Sequence, residues 1–112
     1  MATYKPLGQV NPAAATSTTL YTCGVAAGAI GSTLAATNRG STTATIRVAH
    51  RPLGAALANG QYVVYDVVLQ ATGTNANSAY YTLGISMQQT DIIAVYASTA
   101  NVDFTLWGVE SP

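Results

Sequence analysis

Any catalytic chemistry in this chain would have to come from one imidazole, four carboxylates and one thiol. His50 is the only histidine, and Asp66, Asp91, Asp103 and Glu110 are the only acids. A general base needs a nucleophile to activate and an acid to orient it. No Gly-x-Ser-x-Gly elbow, phosphate-binding loop or HExxH pattern surrounds these residues. Glycosidase-type carboxylates can converge from distant positions, but Asp91 and Asp103 fall at predicted strand starts, where solvated ends are expected. His50 alternates in step with Ile46 and Val48, so it reads as a structural histidine at the end of a core-facing row. Cys23 stands between Thr22 and Gly24, with no electropositive neighbour to favour a thiolate, and reads as a small buried hydrophobe. One cysteine and one histidine make neither an internal disulfide nor a zinc site of the usual kinds. The expectation is therefore a protein that is not an enzyme, with no metal and no organic cofactor.

Binding chemistry has more to draw on. Arg47 and Arg51 lie four apart on one strand, roughly 13 Å at the usual rise. They form either a solvated face or a patch aimed at a partner, since Arg is enriched at interfaces. Trp107, the single tryptophan, shares a strand face with Asp103, Thr105 and Val109, opposite the row of Phe104. Alternation puts it outside the core, where it suits an anchor in a subunit contact, unless a bulge shifts the register. Among the seven tyrosines, Tyr62, Tyr65, Tyr80, Tyr81 and Tyr96 lie in strands, where they more often fill cross-strand positions than stack sugars. Lys5, Arg39, Arg47 and Arg51 are the only basic residues and form no run, so neither nucleic acid nor an anionic membrane is an expected partner.

These side chains must be positioned by strands. Thr, Val, Ile and Tyr dominate, while Glu and Lys occur once each. Punctuation divides the chain into seven candidate strands at about 18–23, 30–37, 42–51, 61–70, 80–87, 91–98 and 102–109. Turn chemistry separates them, at Asn38-Arg39-Gly40, Pro52-Leu53-Gly54, Asn59-Gly60, Gly73-Thr74-Asn75 and Thr99-Ala100-Asn101. The predicted class is all-β, a single antiparallel β-sandwich, jelly-roll or immunoglobulin-like, of about seven to eight strands. Residues 1–12, interrupted by Pro6 and Pro12, read as an extended N-terminal arm, with the sandwich domain over 13–112. Tyr4, Leu7 and Val10 of the arm have no obvious local partner and become candidate contacts to a neighbouring subunit.

Alternation assigns the faces. Val102, Phe104 and Leu106 share one side of the last strand, and Tyr81, Leu83, Ile85 and Met87 share one side of the fifth. The fourth and sixth strands are apolar on both sides, which fits a central strand or one pressed against another chain.

The 112 residues support one domain with a modest core. Only 7% are charged and the net charge is zero, against a hydrophobic share of 49%. Disorder is excluded, and so sparse a charge favours a protein that lives in an assembly over a freely soluble monomer. No basic stretch followed by an apolar one opens the chain, and the most apolar run, 23–36, is broken by glycines and too short to span a bilayer. Expression in a reducing cytoplasm is expected.

The stretches TYKPLGQVNPAAATSTTLYT, NRGSTTATIRVAHRPLGAALANGQYVVYD and LGISMQQTDIIAVYASTANVDFTLWG cover nearly the whole chain. Together they resemble a group of small virion proteins of tailed bacteriophages. The resemblance rests on Leu20-Tyr21-Thr22, Asn38-Arg39-Gly40, the Arg51-Pro52 pair before Gly54-Ala55-Ala56-Leu57, and the run from Asp91 to Phe104, all signatures of turns and strands. It implies a β-sandwich virion component made in the host bacterial cytoplasm. The expected role is a decoration (cement) protein on the outer capsid. Its expected partners are itself, as a homo-oligomer with trimers the first choice, and the major capsid protein or other virion proteins. A tail, baseplate or adaptor component is the alternative, followed by a carbohydrate-binding receptor module. The candidate contact residues are Tyr4, Leu7, Val10, Arg47, Arg51, Trp107 and Val109.

Overall fold

β-Branched and aromatic runs separated by turn residues pair here as eight strands, in a computed structural model that describes residues 2–111. They are β1 (Thr3–Val10), β2 (Thr18–Thr22), β3 (Ala29–Asn38), β4 (Ala44–Arg51), β5 (Tyr62–Leu69), β6 (Ser78–Met87), β7 (Ile92–Ala97) and β8 (Val102–Glu110). Helical geometry among the described residues is confined to two short 3-10 turns, Pro52–Gly54 and Asn59–Gln61, where turns are predicted. The strands form two four-stranded antiparallel sheets, ordered β1-β8-β3-β6 and β2-β7-β4-β5. Strand β4 pairs with β5, β3 with β6, β2 with β7 and β1 with β8. The chain is thus one long hairpin, folded at β4–β5 and rolled up, which is the jelly-roll arrangement of a sandwich.

The core lies between the sheets. Leu34, Ile46, Val48, Ile93, Val95, Val102, Phe104 and Leu106 are shielded from solvent, and Cys23 is buried with them. In β8 the alternation holds as read: Val102, Phe104 and Leu106 point inward, while Asp103, Thr105, Trp107 and Val109 are turned out. In β6, Tyr81, Leu83, Ile85 and Met87 line the inner side.

Two expectations need correction. Within the predicted 1–12 arm, Thr3–Val10 is extended as expected but does not form a free arm. Thr3–Val10 is hydrogen-bonded along β8 as an edge strand, where Pro6 costs no ladder bond that a central strand would need. An extra residue, Leu7, is inserted in β1 between the Pro6–Trp107 and Gly8–Leu106 pairs, and Leu7 and Val10 pack on the core. Gly8 permits this approach, because a Cβ there would lie 2.2 Å from the Leu20 carbonyl oxygen. Met1 and Pro112, the outer ends of the two predicted segments, lie outside the described residues.

The second correction concerns β5: a period of two would put Val63, Tyr65, Val67 and Leu69 on one face, but this edge strand does not alternate. Ile46 pairs with Val67 but Val48 pairs with Val64, so Arg47 faces two residues, Tyr65 and Asp66. Asp66 has φ +53°, in the left-handed region that a non-glycine residue rarely occupies. This bulge leaves Val64 and Leu69 buried and exposes Val63, Tyr65 and Val68. Strand β7, the other two-sided apolar run, is central in its sheet.

Candidate interaction surfaces

The only histidine and the buried carboxylate meet at one end of the sandwich. His50 Nε2 lies 2.8 Å from Asp91 Oδ2, and Asp91 is 3% exposed. The Leu53 backbone N–H donates to Oδ1 at 2.8 Å and the Gln88 N–H to Oδ2 at 3.3 Å. Burial alone would raise the Asp91 pKa. The donated bonds from Leu53, His50 and Gln88 outweigh it and hold the carboxyl below the ordinary aspartate range. The solvated strand start expected for Asp91 is thus replaced by a buried clamp joining the end of β4, the loop after it and the β6–β7 turn. Leu53, at φ +53°, is kept in its left-handed conformation by this bond. Arg51 fastens the same loop, with Nε donating to the Ala55 carbonyl at 2.6 Å. The bond engages Arg51 within its own chain, away from the partner patch proposed for it. Asp91 acts as the centre of a structural knot, and among the described residues the side-chain partner of His50 is Asp91.

The outer face of the β2-β7-β4-β5 sheet is built around Arg47. Its guanidinium lies 4.4 Å from the Tyr65 ring centre and 4.6 Å from that of Tyr96, with Nε donating to Asp66 Oδ1 at 2.6 Å. The bulge is what aims both Tyr65 and Asp66 at one arginine, while Tyr96 is its direct cross-strand neighbour in β7. Tyr62 meets Tyr65 edge-on at 4.9 Å. An open depression is bordered by Asn59, Tyr62 and Tyr65, but one face of Tyr65 is already taken by Arg47, which weakens it as a sugar-stacking platform. Exposed Val63, Val68, Leu53 and Leu57 belong to β5 and the loop that leads into it.

The outer face of the β1-β8-β3-β6 sheet gathers three of the proposed contact residues. Tyr4 pairs across to Val109 and Val109 to Ile30, while Pro6 pairs with Trp107. Tyr4, Pro6, Ser32, Trp107 and Val109 line a shallow groove there. Tyr4 is 83% and Trp107 40% exposed, and Ile30 and Tyr80 extend the same face. Leu7 and Val10 are not part of it, and Arg47 belongs to the opposite sheet. Sequence reasoning missed Ile30 and Tyr80. Their signal was available, since each is a large apolar residue alternating out of phase with a core row.

Charge is settled within the chain. Lys5 pairs with Glu110 at 2.7 Å, Arg39 with Asp103, Arg47 with Asp66, and His50 with Asp91. Glu110 also accepts from the Tyr21 hydroxyl at 2.5 Å, and Lys5 together with Tyr21 holds its carboxyl below the usual glutamate range. All four acidic side chains therefore have an internal basic partner. Both outer faces combine exposed aromatic and aliphatic area with ion-paired charge, while among the described residues Arg51, at the end of β4, donates only to backbone carbonyls. Among the described residues no three His, Cys, Asp or Glu side chains come together as a metal site.

No protein-family model and no curated protein matches the chain.

Proposed function

We propose that this chain is a non-enzymatic structural protein of a bacteriophage particle, a decoration protein that self-associates and cements the assembled capsid. The observation that carries this reading is the pair of faces rich in exposed apolar side chains on opposite outer surfaces of one sandwich, one of them holding the Arg47–Asp66 ion pair. Among the described residues ten large hydrophobics are exposed; six lie at 53–68 and the other four, Tyr4, Ile30, Tyr80 and Trp107, on the opposite sheet. Exposed apolar patches of this kind mark contact surfaces, and two of them let one chain touch two neighbours at once. A protein that binds only the assembled shell raises the stability of that shell by mass action. The resemblance to small phage virion proteins supplies the context, and the polar residues supply clamps and ion pairs in place of a reaction centre.

Purified protein added to bare heads should bind in many copies and raise their melting temperature. The face around β5 is the proposed shell contact, so Val68→Asp should weaken head binding at least tenfold while leaving the fold intact. Quantitative mass spectrometry of purified particles should find the chain in hundreds of copies. A few copies that follow purified tails would replace the capsid role by the tail or baseplate role. Binding to glycans by the isolated chain, with none to heads or tails, would replace both by the receptor-module reading.

A further inference from the structure

All four edge strands of the sandwich are interrupted against their only partner. Leu7 is the extra residue in β1, Leu20 in β2, Tyr65–Asp66 in β5 and Leu83–Gly84 in β6. Two of these bulges hold a residue at positive φ, Asp66 at +53° and Gly84 at +60°. Bulged edges bend away from the straight backbone row that another strand could extend, and natural sheets use them to prevent edge-to-edge pairing. Self-association by adding strands is therefore disfavoured on every side, yet both flat faces keep exposed aromatic residues.

We infer that the outer face of the β1-β8-β3-β6 sheet docks on the same face of a second copy of this chain, with two-fold symmetry. This deepens the structural role proposed above and rests on it for its use in the particle. Three observations select the occupant. First, the face offers Tyr4, Ile30, Tyr80, Trp107 and Val109, while the charges at its margins, Lys5–Glu110 and Arg39–Asp103, are paired within the chain. A surface with no free charge is complementary to another such surface, and its own copy is one. Second, four strands about 4.8 Å apart and about nine residues long cover roughly 550 Å² per copy, or about 1,100 Å² for a pair. That clears the roughly 1,000 Å² expected of a specific interface. Third, the two apolar faces point in opposite directions, so contact between unlike faces would stack copies without closing. Like-to-like contact closes at two. The pairing replaces the three-fold form expected from the sequence and leaves the Arg47 face free for the shell.

Trp107 is the only tryptophan and lies in the proposed contact, so its fluorescence reports the pairing without any substitution. Light scattering of the full chain at micromolar concentration should give twice the 11.5 kDa chain mass, both in low salt and in 1 M NaCl. Dilution should red-shift the Trp107 emission as the pair separates. Trp107→Ser should raise the dimer dissociation constant at least about 30-fold, as interface anchors do, with an unchanged circular-dichroism spectrum. Val68→Asp, on the opposite face, should remain a dimer. A monomeric wild-type chain, a mass three times that of the chain, dissociation by salt, or a Val68→Asp monomer beside a Trp107→Ser dimer would each overturn the pairing. These readings use isolated protein and stand apart from head binding. A monomer that still binds heads would overturn the pairing alone, and a dimer that binds no virion component would overturn the role alone.

Discussion

Asp91→Ala is expected to destabilise the fold by about 3–5 kcal/mol, the range for removing one partner of a buried charged network. The carboxylate accepts from two backbone N–H groups and one imidazole, and each would lose its only bond of this kind in a site where water reaches poorly. At roughly 4 °C per kcal/mol for a domain near this size, the melting temperature should fall by more than about 10 °C. The pH dependence has a definite sign. The folded-state pKa of Asp91 is held below that of the unfolded chain, near 4. Its contribution is therefore complete above that unfolded value and is lost as the pH falls through the lower folded one. Thermal melts of wild type and Asp91→Ala should differ most at neutral pH and converge in acid. Equal melting temperatures at pH 7 would remove Asp91 from the role given to it here.

The consequence reaches the proposed contact surface. Asp91 holds Leu53 in a left-handed conformation with its side chain 62% exposed, and Arg51 pins the following turn. Presenting an apolar side chain from a strained, fastened turn lowers the ordering cost of a contact. Stability and the presentation of Leu53 are thus coupled through one buried carboxylate.

How legible this was in the sequence depended on bulges. β8 could be read residue by residue because its inner face keeps a strict period of two from Val102 to Leu106, and this placed Trp107 outside the core. β5 could not, because Tyr65 and Asp66 both oppose Arg47 and the faces exchange halfway along the strand. The N-terminal strand was legible as extended chain, yet Pro6 within it and Pro12 just after it hid its pairing with β8. Leu7 owes its inward position to a one-residue insertion that carries no sequence mark. The buried state of Asp91 was invisible because two of its donors are backbone N–H groups, at Leu53 and Gln88, which no side-chain pattern records. The pairing of Arg47 with Asp66 spans only a hairpin, but it needed the bulge to exist. In each case the missing information is backbone geometry, and side-chain orientation was legible where the backbone was regular.

Asn38→Asp should show a deficit that grows with pH, as that of Asp91→Ala does, but from the opposite cause: a buried carboxylate gained against carbonyl acceptors rather than one lost where it has three donors. Asn38 is fully buried at the end of β3, and its amide nitrogen donates to the carbonyls of Thr42 at 2.9 Å and Gln70 at 3.1 Å. Its Oδ1 accepts from the Gly40 N–H at 2.9 Å. These bonds tie β3 to the turn that follows it and to the end of β5, across the two sheets. An aspartate would keep the bond from Gly40 and place a second carboxylate oxygen against two carbonyl oxygens. Burying an unpaired charge among acceptors should cost about 3–5 kcal/mol at pH 7. The folded-state pKa of the new carboxyl must lie above its unfolded value, since only the protonated form can donate to a carbonyl. The deficit should therefore be smallest below about pH 4 and grow as the pH rises above that value. Asn38→Ala, which removes the bonds without adding charge, should lose stability by an amount that does not change between pH 4 and 7. Denaturant titrations of the three proteins across that range provide the check. An Asn38→Asp deficit that is flat with pH would mean that the acceptor-lined site does not hold its side chain as described.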